Sequence, residues 1–269
     1  MIGFFSFIQK NTSLNVAKMS GLLSVNLEHG ERWWYAHVSE LHGCFTRAET
    51  RREALVQLPG EINRHIKFLE DHGVRPSFSS LNFSVVEEAA DIPELGEAGG
   101  AVALFASDLK PVENSEFTVF LSLMRWNREE LLGIVEHLSV RELIAYAIPG
   151  KWSIDQTLRH MGNAERWYVS RLGINAELIY AGFERRLRKG RRKIQSLELL
   201  KLVRESATNA LEAVFQSQPV GAFRRRAYTR HPDESWTLRK VLRRFVEHER
   251  EHISTIRKVI IALEGFQPH

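Results

Sequence analysis

The sequence predicts an α+β chain, a small α+β unit followed by an all-α four-helix bundle. Three observations carry that reading. Between residues 23 and 48, apolar and polar residues alternate with the period of two that marks half-buried strands. From residue 115 onward, apolar residues recur every three to four positions, the period of helices with one buried face. Between the two lies a stretch rich in proline, glycine and acidic residues, the composition of a boundary.

In the first unit, Leu23, Val25 and Leu27 alternate, and Glu28-His29-Gly30 turns the chain. Trp34, Ala36 and Val38 alternate again, and residues 44–48 give a short third strand. Thr50 caps a helix over residues 51–71, with Glu53 completing a capping box. Its apolar stripe is Leu55, Leu58, Ile62, Ile66 and Leu69. Pro59 is expected to bend or break it, and Gly73 ends it. Residues 74–111 read as linker, holding Pro76, Pro93, Pro111, Gly99-Gly100 and an acidic patch that includes Glu87 and Glu88. One further strand is expected at residues 101–105.

The second unit holds four helices. The first spans residues 115–138, with Phe117, Phe120, Leu121, Met124, Leu131 and Val135 inward. The second starts after Ser153 as N-cap and runs to residue 172, burying Ile154, Leu158, Met161, Tyr168 and Leu172. The third covers residues 197–216, with Leu200, Val203, Ala207, Leu211 and Val214 inward. The fourth runs from 237 to 263. The domain expectation is therefore a lead-in over 1–18, an α+β domain over 19–106 with linker from about 74, and a bundle over 113–265. Met19 offers an alternative start, because a strand pattern begins just after it.

Composition excludes several classes. The net charge of +4, from 37 basic and 33 acidic residues, is weak support for a nucleic-acid partner. The apolar share of 43% is enough for a packed core. Cys44 is the one cysteine, so no intrachain disulfide forms, and a reducing cytoplasm fits. No apolar run approaches the roughly 20 residues of a membrane span. Two basic runs, at 185–193 and Arg224-Arg225-Arg226, read as solvated connectors, with a phosphate-binding surface as the alternative.

The sharpest feature is a pair of histidines, His248 and His252, in the last helix. Leu238, Phe245 and Val259 share a heptad column with His252, and Val241 lies beside His248. A spacing of four puts both imidazoles on one face, one turn apart. Imidazoles in an apolar seam are costly unless their nitrogens are satisfied. A divalent metal does this, and it needs a third ligand from another helix. His160, at the edge of the second helix's stripe, is the candidate. Three neutral imidazoles make an open site of the zinc type, and nickel, iron or manganese also accept nitrogen ligands. The competing reading is hydrogen-bonded core histidines with no metal. Glu165 projects into an apolar stripe, as a base or as the orienter of a ligand. A salt bridge to Arg128 is its other reading. Arg128, which interrupts the inward face of the first helix, is read as either that partner or the grip on an anionic substrate.

The second half resembles the DinB-like superfamily of four-helix metal-binding proteins. The resemblance rests on Lys151-Trp152-Ser153, on Leu158-Arg159-His160-Met161-Gly162-Asn163-Ala164-Glu165, on Trp236-Thr237-Leu238-Arg239-Lys240-Val241-Leu242 and on His248-Glu249-Arg250-Glu251-His252-Ile253. It implies that His160, His248 and His252 are the metal ligands. It further implies a transferase or isomerase using a low-molecular-weight thiol such as mycothiol or bacillithiol, whose sulfur the metal holds as thiolate for attack on a small electrophilic substrate. A homodimer is expected from the resemblance alone. Cys44, in the other unit, is not expected to be the nucleophile.

The first half is similar to the HicB-like antitoxin domain, a small partial ribonuclease-H-type fold. The residues are Trp34-Tyr35-Ala36-His37-Val38-Ser39-Glu40-Leu41-His42-Gly43-Cys44-Phe45-Thr46 and Glu49-Thr50-Arg51-Arg52-Glu53-Ala54-Leu55. The DNA-binding module usual after that domain is absent, and a helical bundle stands in its place. The alternative function is therefore a regulatory protein whose HicB-like domain binds a protein or RNA partner.

Overall fold

The structure, a computed structural model, describes residues 22–76, 81–184, 194–217, 219 and 221–265. The lead-in, Met19 and the basic run at 185–193 lie outside the described residues. The N-terminal region is a four-stranded sheet and a helix. Strands β1 (Leu23–His29), β2 (Trp34–Val38) and β3 (Phe45–Ala48) form an antiparallel meander. Helix α1 (Arg51–Asp71) follows, and β4 (Phe83–Ala89) returns parallel to β1, giving the order β3-β2-β1-β4. Thr50 caps α1 through the Glu53 amide, and Gly73, at φ +80°, follows its end. The helix continues through Pro59, which sits on its exposed side, so the expected break does not occur.

The linker reading needs correction at two points. Residues 83–89 are a strand, although Glu87 and Glu88 made them look like linker. β4 is an edge strand exposed on alternate positions, and such a face tolerates acids. Residues 101–105 are extended without joining the sheet. Three of their backbone amides go to carboxylates instead, and that of Ala101 goes to the Pro93 carbonyl. Val102 donates to Glu234 (3.0 Å), Ala103 to Glu28 (2.6 Å) and Phe105 to Asp108 (3.1 Å). A buried amide needs an acceptor, and here side chains replace a neighbouring strand.

After a 3₁₀ turn (Ala106–Leu109) the helices follow in order: α2 (Asn114–Val135), α3 (Val140–Ile144), α4 (Ile154–Arg171), α5 (Ile174–Glu184), α6 (Ser196–Gln216) and α7 (Leu238–Glu264). A short ribbon of β5 (Phe223–Arg224) and β6 (Ser235–Trp236) precedes α7. The four expected bundle helices are α2, α4, α6 and α7. α7 packs between α2 and α4, and α4 also packs on α6. The starts of α4 and α7 are set by side-chain caps. Ser153 and Gln156 form a reciprocal capping box at α4, and Thr237 accepts from the Lys240 amide at α7. Of the apolar residues expected inward on these helices, only Leu121 is half-buried. α3, α5 and the ribbon are additions that periodicity did not resolve. α3 has only five residues, too few to show a stripe.

One apolar cluster runs through both regions, from Val25 and Ile62 to Phe120, Tyr168 and Val246. The sheet's second face is polar yet buried against α7. His37 bridges Glu28 (3.0 Å) and Glu247 of α7 (2.7 Å), all three at most 3% exposed. Burial opposes a proton on His37, but the two carboxylates outweigh it and raise its pKa. Burial pushes Glu247 the other way, yet His37, Arg243 and Arg244 hold it at about 2. Gly43, at φ +84°, lets the β2–β3 turn lie on α7. A Cβ there would sit 2.4 Å from Val246.

Candidate metal centre

Packing of α4 on α7 brings the three predicted histidines together. His248 Nε2 lies 3.0 Å from His160 Nε2 and 3.0 Å from His252 Nε2. Hydrogen bonding cannot satisfy all three, because each neutral ring brings either one N–H or one lone pair at Nε2, and an N–H···N bond pairs only two of them. Ligands held tetrahedrally at zinc distances stand about 3.3 Å apart, close to the observed spacing. Among the described residues this is the one cluster of potential metal donors. Burial lowers the pKa of all three: His160 is lowered, His248 falls well below its usual value, and His252 is lowered to about 3. For His248 and His252 the neighbouring imidazoles add to the effect. The rings are therefore neutral at neutral pH, as metal ligation requires. His252 Nδ1 is buried without a partner.

The triad does not sit in the apolar core, as the heptad columns suggested. The three rings are half-buried and line a pocket of about 690 Å³. α7 turns residues such as Ile253 and Ile256 to the bundle interior and the histidines to this cavity. Trp152, Trp167, Tyr168, Tyr228 and Trp236 line the same cavity. Trp152 stands 4.9 Å from His160 between ring centres. Arg47, Lys151, Arg244, Glu97 and Glu251 supply its charges. Sequence reasoning quoted several of these aromatics inside motifs but assigned them no role. Arg47 gave no signal, because it lies 113 residues before His160 in the chain (160 − 47).

Glu165 and Arg128 are placed elsewhere. Neither lines the pocket. Arg128 donates to Glu165 (2.5 Å), to Glu249 (2.6 Å) and to the Leu200 carbonyl (2.7 Å). Arg204 binds the same two carboxylates at 2.8 Å each. The network ties α2, α4, α6 and α7 together in the bundle interior. Burial would raise the Glu165 pKa, but the two guanidiniums outweigh it and lower it. A carboxylate held by two arginines is a poor base. The salt-bridge reading of this pair is therefore the one the geometry has, with Arg204 and Glu249 as members the sequence did not reveal. Cys44 is buried, and burial pushes its thiol pKa up, so it offers no nucleophile.

The model of the DinB superfamily matches residues 123–256. The C-terminal half carries a DinB superfamily domain. That span includes all three histidines and the whole ionic network. The chain is also similar to a solved structure, YfiT from Bacillus subtilis, described as a probable metal-dependent hydrolase with an unusual four-helix bundle topology. The likeness is distant: 16% identity and a TM-score of 0.43, over 61% of this chain and 95% of YfiT. No curated relative matches the chain. Among the described residues, no helix is long and apolar enough to cross a membrane.

Proposed function

We propose that this protein is a metal-dependent enzyme acting on a small molecule admitted to the DinB-domain pocket. The observation that carries this reading is the convergence of three neutral imidazole nitrogens on the wall of an accessible cavity. His160, His248 and His252 hold one divalent metal, zinc in the first instance. When bound, the metal supplies Lewis acidity and lowers the pKa of a nucleophile placed in its open position. The reaction class favoured is transfer with a low-molecular-weight thiol, supported by the DinB domain and by zinc's affinity for sulfur.

The chain's own residues do the rest. α4 and α7 preset the imidazoles, so little ordering is needed on loading. The tryptophans and Tyr168 exclude water from one side of the cavity and give an apolar body a surface to lie on. The N-terminal region, a four-stranded sheet with one helix, supports assignment as a HicB-like module.

Elemental analysis of protein purified without chelator or nickel resin tests the reading. Roughly one metal per chain in wild type, lost in His252→Ala, is the expected result. No metal in either, with equal stability, would overturn it and favour the regulatory alternative.

A further inference from the structure

The pocket has walls from two regions. The DinB domain supplies the triad and the aromatic side. The N-terminal region supplies Arg47, in β3, and the loop 96–102. These residues lie outside the matched span of 123–256. This wall is therefore an addition to the metal domain, and its chemistry bears on what reaches the metal.

Arg47 is held as a rigid plane. Its guanidinium stacks 3.9 Å from the Trp33 ring centre and 5.6 Å from that of Tyr35. Nη1 donates to Glu251, which also accepts from Tyr35 Oη (3.4 Å). Gly96 closes over the group. A Cβ at Gly96 would sit 2.8 Å from Trp33, 3.0 Å from Tyr35 Oη and 3.1 Å from Arg47 Nη2, and its φ is +83°. The side chain still keeps 28% of its surface exposed. Glu251 lines the same pocket as the three histidines, so the Arg47–Glu251 pair faces the triad's cavity. A guanidinium carries five donors in a plane, and the Glu251 contact uses one of its edges. The pocket's other arginine, Arg244, is only 7% exposed and is engaged by Glu247 at 3.1 Å. Lys151 is exposed, on a surface turn.

We propose that Arg47 is a specificity-determining residue of the metal pocket, selecting ligands that carry a carboxylate a few bonds from the group presented to the metal. The proposal rests on the metal reading above. It gives the N-terminal region a place in the site itself.

The test uses full-length cobalt-loaded protein and two thiols that differ in the carboxylate, 3-mercaptopropionate and 2-mercaptoethanol. Binding is read from the sulfur-to-cobalt charge-transfer band, and loading from elemental analysis. Wild type is expected to favour the acid by about tenfold, the scale of a charge-assisted contact. Arg47→Met should bring the ratio to within about twofold with loading unchanged, and Arg47→Lys should give an intermediate ratio. Equal binding by wild type overturns the proposal whether or not the variants fold. So does a preference that survives in Arg47→Met. Absence of both bands on loaded protein overturns it while leaving the triad as a metal site. Failure to retain cobalt overturns the metal reading with it.

Discussion

Two polar clusters join α4 to α7, and they are opposites. The ionic network sets two arginines against two glutamates, so every charge has a complement within the fold. The triad sets three like groups against one another, with no carboxylate among them to match. The first cluster closes on itself and faces the interior. The second brings three ring nitrogens together and faces a cavity. Buried polar groups that complete each other act on the fold, and like groups that converge unsatisfied act on something brought from outside. Glu249 and His248 are neighbours in sequence, yet they belong to different clusters, because adjacent positions on a helix point about 100° apart.

The comparison can be broken most directly at Glu165. Glu165→Ala leaves two buried guanidiniums sharing the one carboxylate of Glu249, an uncompensated buried charge that should cost about 3–5 kcal/mol in chemical denaturation. Metal bound per folded chain should not change. A loss below about 1 kcal/mol would show that the network is not the structural member of the pair.

His160→Ala should behave in the opposite way. Metal-free stability should move by no more than about 1 kcal/mol. The stabilisation that wild type gains from metal at a hundredfold excess over Kd, about 2.7 kcal/mol, should be lost. Equal metal stabilisation in both proteins would remove His160 from the ligand set.

The smallest effect is a pH dependence, and it has two signs. The triad's pKa values are lowered, so the unfolded chain binds protons that the folded chain refuses. For His252, stability should therefore fall as pH drops from 6.5 toward about 3. His37 is raised above 6.5, so its contribution is full below that value and is lost as pH rises through the folded pKa. In metal-free protein, the gap in Tm between wild type and His37→Gln should be widest below pH 6.5 and should narrow above it. A gap that stays constant with pH would mean that His37 is not held protonated between Glu28 and Glu247.

Much of this was legible in the chain. Thr50 and Ser153 mark helix starts because a side-chain oxygen that satisfies an orphan amide is a local device. The stripes of α4 and α6 named their core residues, and the spacing of His248 and His252 put both on one face. The burial of β1's second face was not legible. Asn26 and Glu28 alternate with apolar residues as a solvated face would, but both are buried, Asn26 against Ser107 and Glu28 against the Ala103 amide. The role of Glu165 was left between two readings for the same reason. Sequence shows a carboxylate in a stripe and does not show that Arg204, 39 residues on, reaches it.

The sequence by itself determined the long helices, their phases and the residue types available to a metal, since these depend on contacts within a few positions. Only the tertiary structure decided which polar groups neutralise each other, that β4 rather than residues 101–105 completes the sheet, and that Arg47 and the histidines line one pocket. Periodicity reports the polarity of a face. What covers that face is set by packing between segments far apart in the chain.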